Sequence, residues 1–365
     1  MDRAEPGGGL TAKRKRKADT MAIDLTGGLP ADWELMYTTP PEDREMRESH
    51  NAWIWDDGGT FGIPRISVEM ISAQWQNHEV QVNLAFADGR VYNVYGPRPA
   101  HSPIAANGSP RILGAGPLDF EVVEPYRQLR LTLDGTAAAI TVQDQMDGWL
   151  PGVGPAEQVP VRAEIDLRPA VPPWENGSTS EEAKRVLSTQ EEGYLIGYPW
   201  RFEQLCRATG TIWVGDRHYD LNGGANRIRR KSVRRMATLR GHVWQTGLLP
   251  SGRGFGYIAY PPYPDGRATY NEGYVFDGDG EIIPARVIEA PWLRTLTPRG
   301  EDVSFVLETA KGTIEIGAES VVSTYHVMPP EAGSLQLQQA LARYTWDGES
   351  GMGMMERSTA PEKLT

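Results

Sequence analysis

From about residue 53 onward, apolar and polar positions alternate with a period of two, the signature of β-strands that bury one face. The spans 60–70, 79–87, 90–95, 118–123, 129–133, 138–143 and 160–167 read as strands. Tight turns punctuate them, Asp56-Asp57-Gly58-Gly59 before the first and Ala87-Asp88-Gly89 between the next two. A segment rich in Pro, Ser and Glu interrupts the pattern, and it then restarts over 202–214, 218–221, 254–260, 267–276, 281–288, 302–309, 313–320 and 346–358. Helical patterning is confined to short stretches at 44–51, just after residue 179, and at 335–344, which also reads as an irregular strand. Strands spaced about 8–12 residues apart, with no strand–helix alternation, exclude a Rossmann sheet and a TIM barrel. The fold class expected is all-β: two tandem antiparallel barrels or half-barrels over 31–169 and 188–358, joined by a linker at 170–187. Residues 1–30, Gly-rich and basic, are expected to be a disordered tail, with Met21 a candidate start, and 359–365 a short tail.

Length and charge narrow the function. The 365 residues suffice for two domains and a core that needs no covalent staple. A net charge of −11 argues against nucleic acid as a partner, and the Lys13-Arg14-Lys15-Arg16-Lys17 run reads as a solvated tail. No segment has the ~18 apolar residues of a membrane span, and the N-terminus lacks an apolar signal core, so a cytoplasmic setting is expected. The single cysteine, Cys206, excludes an internal disulfide and a Cys-based zinc site, and reads as a small buried apolar residue. The six histidines fit no metal-ligand spacing, so no metal and no cofactor is expected.

Candidate chemistry concentrates after residue 198, where Arg, Tyr and Trp stand in strands that would ordinarily carry aliphatics. Arg227, Arg229 and Lys231 alternate and share one strand face, a fork suited to a carboxylate unless it is a solvated basic loop. Arg65 lies in an apolar strand entry, with Glu69 as a partner on the same face, and Arg201 with Glu203 repeats the theme as a ligand contact or a salt bridge at a barrel end. His242 and Trp244 share a face, and His suits proton transfer near neutrality, with His326 as a second carrier. Nothing beside His242 in the sequence supplies a nucleophile for a triad. Tyr270, Glu272 and Tyr274 share another face next to Tyr257 and Tyr260. If that face lines a cavity, desolvation makes Glu272 a general acid at neutral pH; if it faces solvent, the three form a cross-strand ladder.

The Phe202-Glu203-Gln204 opening, the Gly-rich turn Asn222-Gly223-Gly224 and the C-terminal Trp346-Asp347-Gly348-Glu349 with Gly351, Gly353, Met354, Glu356 and Arg357 resemble the tandem lipocalin-like family of carotenoid 1,2-hydratases and AttH-like proteins. The resemblance spans about residues 40–358. It implies two lipocalin-like barrels and a hydrophobic isoprenoid-like or polyketide-like ligand, handled without a cofactor. An Asp-His-x-Trp-Gly motif common in that family is replaced here by Asn226-Arg227-Ile228-Arg229-Arg230, which puts guanidinium groups where the acid and imidazole would stand. The combined reading is a cofactor-independent lyase acting on an aromatic or isoprenoid carboxylate. Its proposed catalytic residues are Glu272, His242, Tyr270 and Tyr274, and its substrate contacts are Arg65, Arg201, Arg227, Arg229, Trp244 and Tyr257. Decarboxylation with ring opening of a lignin-type phenylcoumaran dimer is one such reaction. Hydration or cyclisation of an isoprenoid, or carriage without turnover, are the alternatives, and a homodimer is left open.

Overall fold

A computed structural model describes residues 23–189, 191–329 and 333–360. The basic run and Met21 lie outside the described residues. In chain order the first strands are β1 (Met46–Asp56), β2 (Phe61–Ile71), β3 (Asn77–Phe86), β4 (Arg90–Pro99), β5 (Ile112–Ala115), β6 (Leu118–Glu124), β7 (Gln128–Thr141) and β8 (Glu157–Pro169), then β9 (Trp174–Glu175), β10 (Arg201–Val214) and β11 (Arg217–Val233). Three short helices are α1 (Val142–Met146), α2 (Glu181–Thr189) and α3 (Glu191–Ile196). Hydrogen-bonded neighbours run β4-β3-β2-β1-β11-β10-β8-β7, and a pairing of β4 with the end of β7 closes this ring of eight strands. A second closed barrel follows in simple order: β12 (Gly241–Leu248), β13 (Gly254–Ala259), β14 (Asn271–Phe276), β15 (Ile282–Glu289), β16 (Phe305–Thr309), β17 (Gly312–Val327), β18 (Gln336–Trp346) and β19 (Glu349–Thr359).

The all-β class and the two barrels follow the expectation, but the strands are shared out differently. β10 and β11 lie beyond the linker, within the stretch assigned to the C-terminal half, yet β10 pairs with β8 and β11 with β1, so both complete the first ring. Alternation identifies a strand but not its partner, and without these two strands β1 and β8 would be open edges. The helix expected at 44–51 is part of β1, which is paired on both sides by β2 and β11 and buried over most of its length; a strand covered on both faces loses the alternating pattern. The ambiguous stretch 335–344 is β18. Asn222-Gly223-Gly224 is not a turn but the middle of β11 passing Trp55: a Cβ on Gly223 would lie 1.9 Å from the Trp55 carbonyl, and one on Gly224 would lie 2.4 Å from the Trp55 ring.

Both barrel interiors are largely filled. Ile54, Ile66, Leu131 and Ile165 pack the first, and Phe255, Tyr257, Phe305 and Tyr344 the second. A third apolar cluster lies where the barrels meet: Trp53, Trp55, Trp174 and Trp244 are all buried in it, with Trp53 and Trp244 centroids 4.1 Å apart. A cavity of about 170 Å³ remains beside Met36, Glu48, Met70 and His78 in the first barrel, and a roomier one opens in the seam between the barrels.

Candidate functional site: the cleft between the barrels

Along that seam the outer faces of β1, β2 and β11 from the first ring oppose β12, β13 and β19 from the second. α3 and the 234–239 connection close the third side. Together they enclose a cavity of about 360 Å³, within the usual range for small-molecule sites of roughly 300–1,000 Å³. Its wall is unusually rich in ionic groups for a seam between two apolar cores.

On the second barrel, His242 and Trp244 share a face of β12, and the register His242↔Ser358 and Trp244↔Glu356 sets Glu356 and Ser358 of β19 beside them. The His242 Nε2 lies 3.0 Å from Glu356 Oε1, and the Ser358 hydroxyl lies 2.6 Å from His242 Nδ1. Burial alone would push the Glu356 carboxyl up. The hydrogen bond from His242, the charge of Arg65 and a hydrogen bond from Gln339 outweigh it and hold the group down at about 2. Glu356 is therefore a carboxylate at neutral pH.

Across the cleft, on β2, β11 and the connection after β11, three arginines face this pair. Arg65 of β2 brings Nη1 to 3.6 Å from Glu356 Oε2, while its buried Nε has no hydrogen-bond partner. Arg230 of β11 pairs with Glu69, and its Nε is also buried without a partner. Burial pulls the Arg230 guanidinium down to about 9, with Glu69 opposing and Arg234 adding to the fall. Arg234 donates Nε–H to the Leu195 carbonyl at 2.8 Å, and its terminal nitrogens have no partner among the described residues. It too is pulled below its ordinary value, by burial first and by the neighbouring Arg65 charge, with Glu69, Tyr260 and Glu356 opposing. Tyr260 completes the wall with a phenol that burial pushes above its ordinary value, so it stays protonated.

The candidates read from the sequence divide sharply. Arg65, Arg201, His242 and Trp244 are brought together in the cleft. Glu69 is not the partner of Arg65; it holds Arg47 at 2.5 Å as well as Arg230. Arg201 has its charge matched by Glu203 at 2.7 Å and lies 4.8 Å over the Trp244 ring, in keeping with a barrel-end salt bridge. Glu203 in turn accepts from Asn226 at 2.8 Å and from Trp244 Nε1 at 3.0 Å.

Arg227 and Arg229 lie outside the cleft. Arg227 grips Glu34 with both terminal nitrogens, at 2.6 and 3.1 Å, and Arg229 pairs with Glu48 at 2.5 Å. They share a face, as expected, but it is the face turned away from the cleft; the side toward the cavity carries Ile228 and Arg230. Glu272, Tyr270 and Tyr274 also share a face, one that packs against the segment from β9 to the start of α2. Glu272 is fully buried and accepts from Gly177 N–H at 2.6 Å, from Thr179 N–H at 2.8 Å, from the Thr179 hydroxyl at 2.7 Å and from the Tyr270 hydroxyl at 2.7 Å. A carboxylate with four donors is a clasp for that segment, not a free acid. Tyr274 packs on Trp174, their centroids 5.4 Å apart, and Tyr257 sits inside the second barrel with its hydroxyl accepting from Gln245 at 2.9 Å. His326 lines no part of the cleft. Cys206 is buried and free, as a small apolar core residue should be. Arg230, Arg234, Tyr260, Glu356 and Ser358 belong to the site but were not among the catalytic or substrate-contact residues proposed from the sequence. The signal was the matched alternation His242-x-Trp244 and Glu356-x-Ser358, which acquires meaning only once the register of β12 on β19 is known.

Residues 31–361 match the model of a family described as a domain of unknown function, DUF7064. The chain belongs to the DUF7064 family. The match runs through both barrels, so the family unit includes the cleft. No curated protein matches the chain. Among solved structures, this DUF7064 protein is similar to a putative AttH from Nitrosomonas europaea, with a TM-score of 0.55, 13% identity, and coverage of 88% of this chain and 95% of that one. It is also similar to kievitone hydratase from Nectria haematococca, with a TM-score of 0.52, 10% identity, and coverage of 93% and 97%. These likenesses show the lipocalin-like fold. They extend the resemblance on its AttH-like side and lend no support to a carotenoid 1,2-hydratase. Among the described residues no helix is long and apolar enough to cross a membrane, and no group of three or more His, Cys, Asp or Glu side chains converges as metal ligands would.

Proposed function

We propose that this DUF7064 protein is a lyase that uses side-chain acid–base chemistry on an apolar molecule carrying one anionic group, bound in the inter-barrel cleft. The carrying observation is the opposition of the His242–Glu356 pair to Arg65, Arg230 and Arg234, which line the same cavity. Around the cleft stand five guanidinium groups, those of Arg47, Arg65, Arg201, Arg230 and Arg234. Four carboxylates oppose them, those of Glu69, Glu79, Glu356 and Glu203, the last through its pairing with Arg201. That balance favours a single carboxylate or phenolate. Trp244, Ile258 and Leu239 offer the apolar body a surface, and the exposed Tyr95 and Met236 mark the lip of the cleft.

In this reading the arginines orient the anion, and the His242–Glu356 pair accepts or returns one proton as a unit. Glu356 stabilises the imidazolium, and the Tyr260 hydroxyl donates a hydrogen bond. For an aromatic carboxylate of the phenylcoumaran kind, the carbon–carboxylate bond breaks and its electron pair forms an alkene. The ring C–O bond opens, and the departing oxygen takes its proton from His242. A second reading, hydration of an alkene or its reverse, is favoured by the fold shared with kievitone hydratase and places the same proton on the same pair.

The test is to incubate metal-stripped protein with a panel of aromatic-dimer and terpenoid acids and follow mass. Loss of CO₂ supports the decarboxylating lyase and gain of water the hydratase, and either is abolished in His242→Ala. Recovery of a tightly bound, unchanged acid would overturn turnover altogether and make the protein a carrier.

A further inference from the structure

Glu356 is held from two directions, and one of them starts in the other barrel. Asn93 of β4 donates from Nδ2 to Asn83 Oδ1 at 2.6 Å. Asn83 of β3 donates from Nδ2 to Gln339 Oε1 at 3.2 Å. Gln339 of β18 donates from Nε2 to Glu356 Oε2 at 2.5 Å. All three amides are buried, and every link points the same way, so the dipoles add and terminate on the carboxylate. From the opposite side, a Ser358 hydroxyl donating to His242 Nδ1 leaves Nε2 as the protonated nitrogen, directed at Glu356 Oε1.

We propose that Asn93, Asn83 and Gln339 form a positioning relay across the barrel interface, which keeps the Glu356 carboxyl aimed at His242 Nε2 while Ser358 donates to His242 Nδ1 from the other side. The inference rests on the reading of His242 and Glu356 as the proton-transfer pair. Two of the three amides belong to the first barrel and the acid to the second. The docking of the barrels therefore adds the Asn83 donor and the Arg65 charge to a pair whose two members both lie in the second barrel. A buried amide chain is costly unless each member is satisfied by the next. Here the chain ends at the one carboxylate that contacts a histidine in the cleft. The other charged or titratable groups facing Glu356 are Arg65 on β2, Arg234 on the β11–β12 connection and Tyr260 beyond β13, and the variants below leave them in place.

The test needs no substrate. In the full chain, the Glu356 side-chain carboxyl is followed by ¹³C NMR through an acid titration, and the His242 ring nitrogens by ¹⁵N shifts. In Gln339→Leu the Glu356 midpoint is expected to rise by about one pH unit or more, the size of a hydrogen bond to a charged group. Asn83→Ala, which keeps Gln339 but removes the donor behind it, is expected to give a smaller rise of the same sign. This second variant carries the test if Gln339→Leu does not fold. In Ser358→Ala the His242 Nδ1 ¹⁵N signal is expected to shift toward that of a ring nitrogen accepting no hydrogen bond while Nε2 keeps its proton against Glu356, and Ser358→Thr to restore it. An unchanged Glu356 midpoint in a folded relay variant overturns the relay, and an unchanged His242 pattern in Ser358→Ala overturns the donation from Ser358. Failure of the mass assay would overturn the lyase reading and leave these titrations standing.

Discussion

Two opposing effects act on the Glu356 carboxyl, and their balance has consequences at acid pH. Burial disfavours the charge, but His242, Arg65 and Gln339 favour it more, so the folded group sits at about 2 against an ordinary value of 4.5. A carboxyl depressed in the fold stabilises the protein at every pH above its unfolded value, and that contribution is lost as pH falls toward the folded value. Comparing urea midpoints of the native chain and Glu356→Gln, the gap between them should narrow between about pH 5 and about pH 3. A gap that stays constant over this range would mean that Glu356 is not ionised in the fold. The arginines make a second residue-scale contrast. Arg234→Ala removes a cation whose terminal nitrogens have no partner among the described residues, so it should weaken binding of an acid ligand about tenfold or more with little loss of stability. Arg227→Ala strands a fully buried Glu34 carboxylate, so it should cost roughly 3–5 kcal/mol of stability, while isothermal titration on the surviving folded protein finds ligand affinity unchanged.

At the scale of the element, strand parity separates what the sequence reveals from what it conceals. The faces were legible: Arg227 with Arg229, His242 with Trp244, and Tyr270 with Glu272 and Tyr274 each share one side, as a period of two requires. Which side meets the cleft was not legible, because that depends on a neighbour's register, and a one-residue difference exchanges Arg229 for Arg230. The same blindness made Glu272 look like an acid in an aromatic box. Four donors from 177–179 and Tyr270 make it instead the point where β14 holds the segment between β9 and α2. Glu272→Ala would leave those donors buried without an acceptor and should cost on the order of 3 kcal/mol. Thermal melts should show this loss, and ligand affinity in the cleft should change less than about twofold. A large fall in turnover with the melting temperature preserved would return Glu272 to the catalytic list.

At the scale of the whole molecule, the break in composition at 170–187 and the break between the barrels are different places. The chain crosses from the first barrel toward the second, adds α2 and α3, returns to lay β10 and β11 into the first ring, and only then builds the second. Strand β11 is the hinge of this plan. One face holds Glu34 and Glu48 through Arg227 and Arg229, and the other presents Ile228 and Arg230 to the cleft. Cutting the chain should therefore have opposite effects at two sites. Fragments divided after residue 236 each keep a closed ring, with every ladder satisfied within its own piece, and should reassociate through the shared tryptophan cluster when co-expressed. Fragments divided after residue 187 leave β1 and β8 as long unpaired edges and send a hairpin away with the wrong barrel, and should aggregate rather than pair. Size-exclusion chromatography of the two co-expressed pairs reads the outcome directly. Recovery of a stable 1–187 piece would show that the first barrel closes without β10 and β11, and that the cleft wall carrying Arg230 is an addition to that barrel and not part of it.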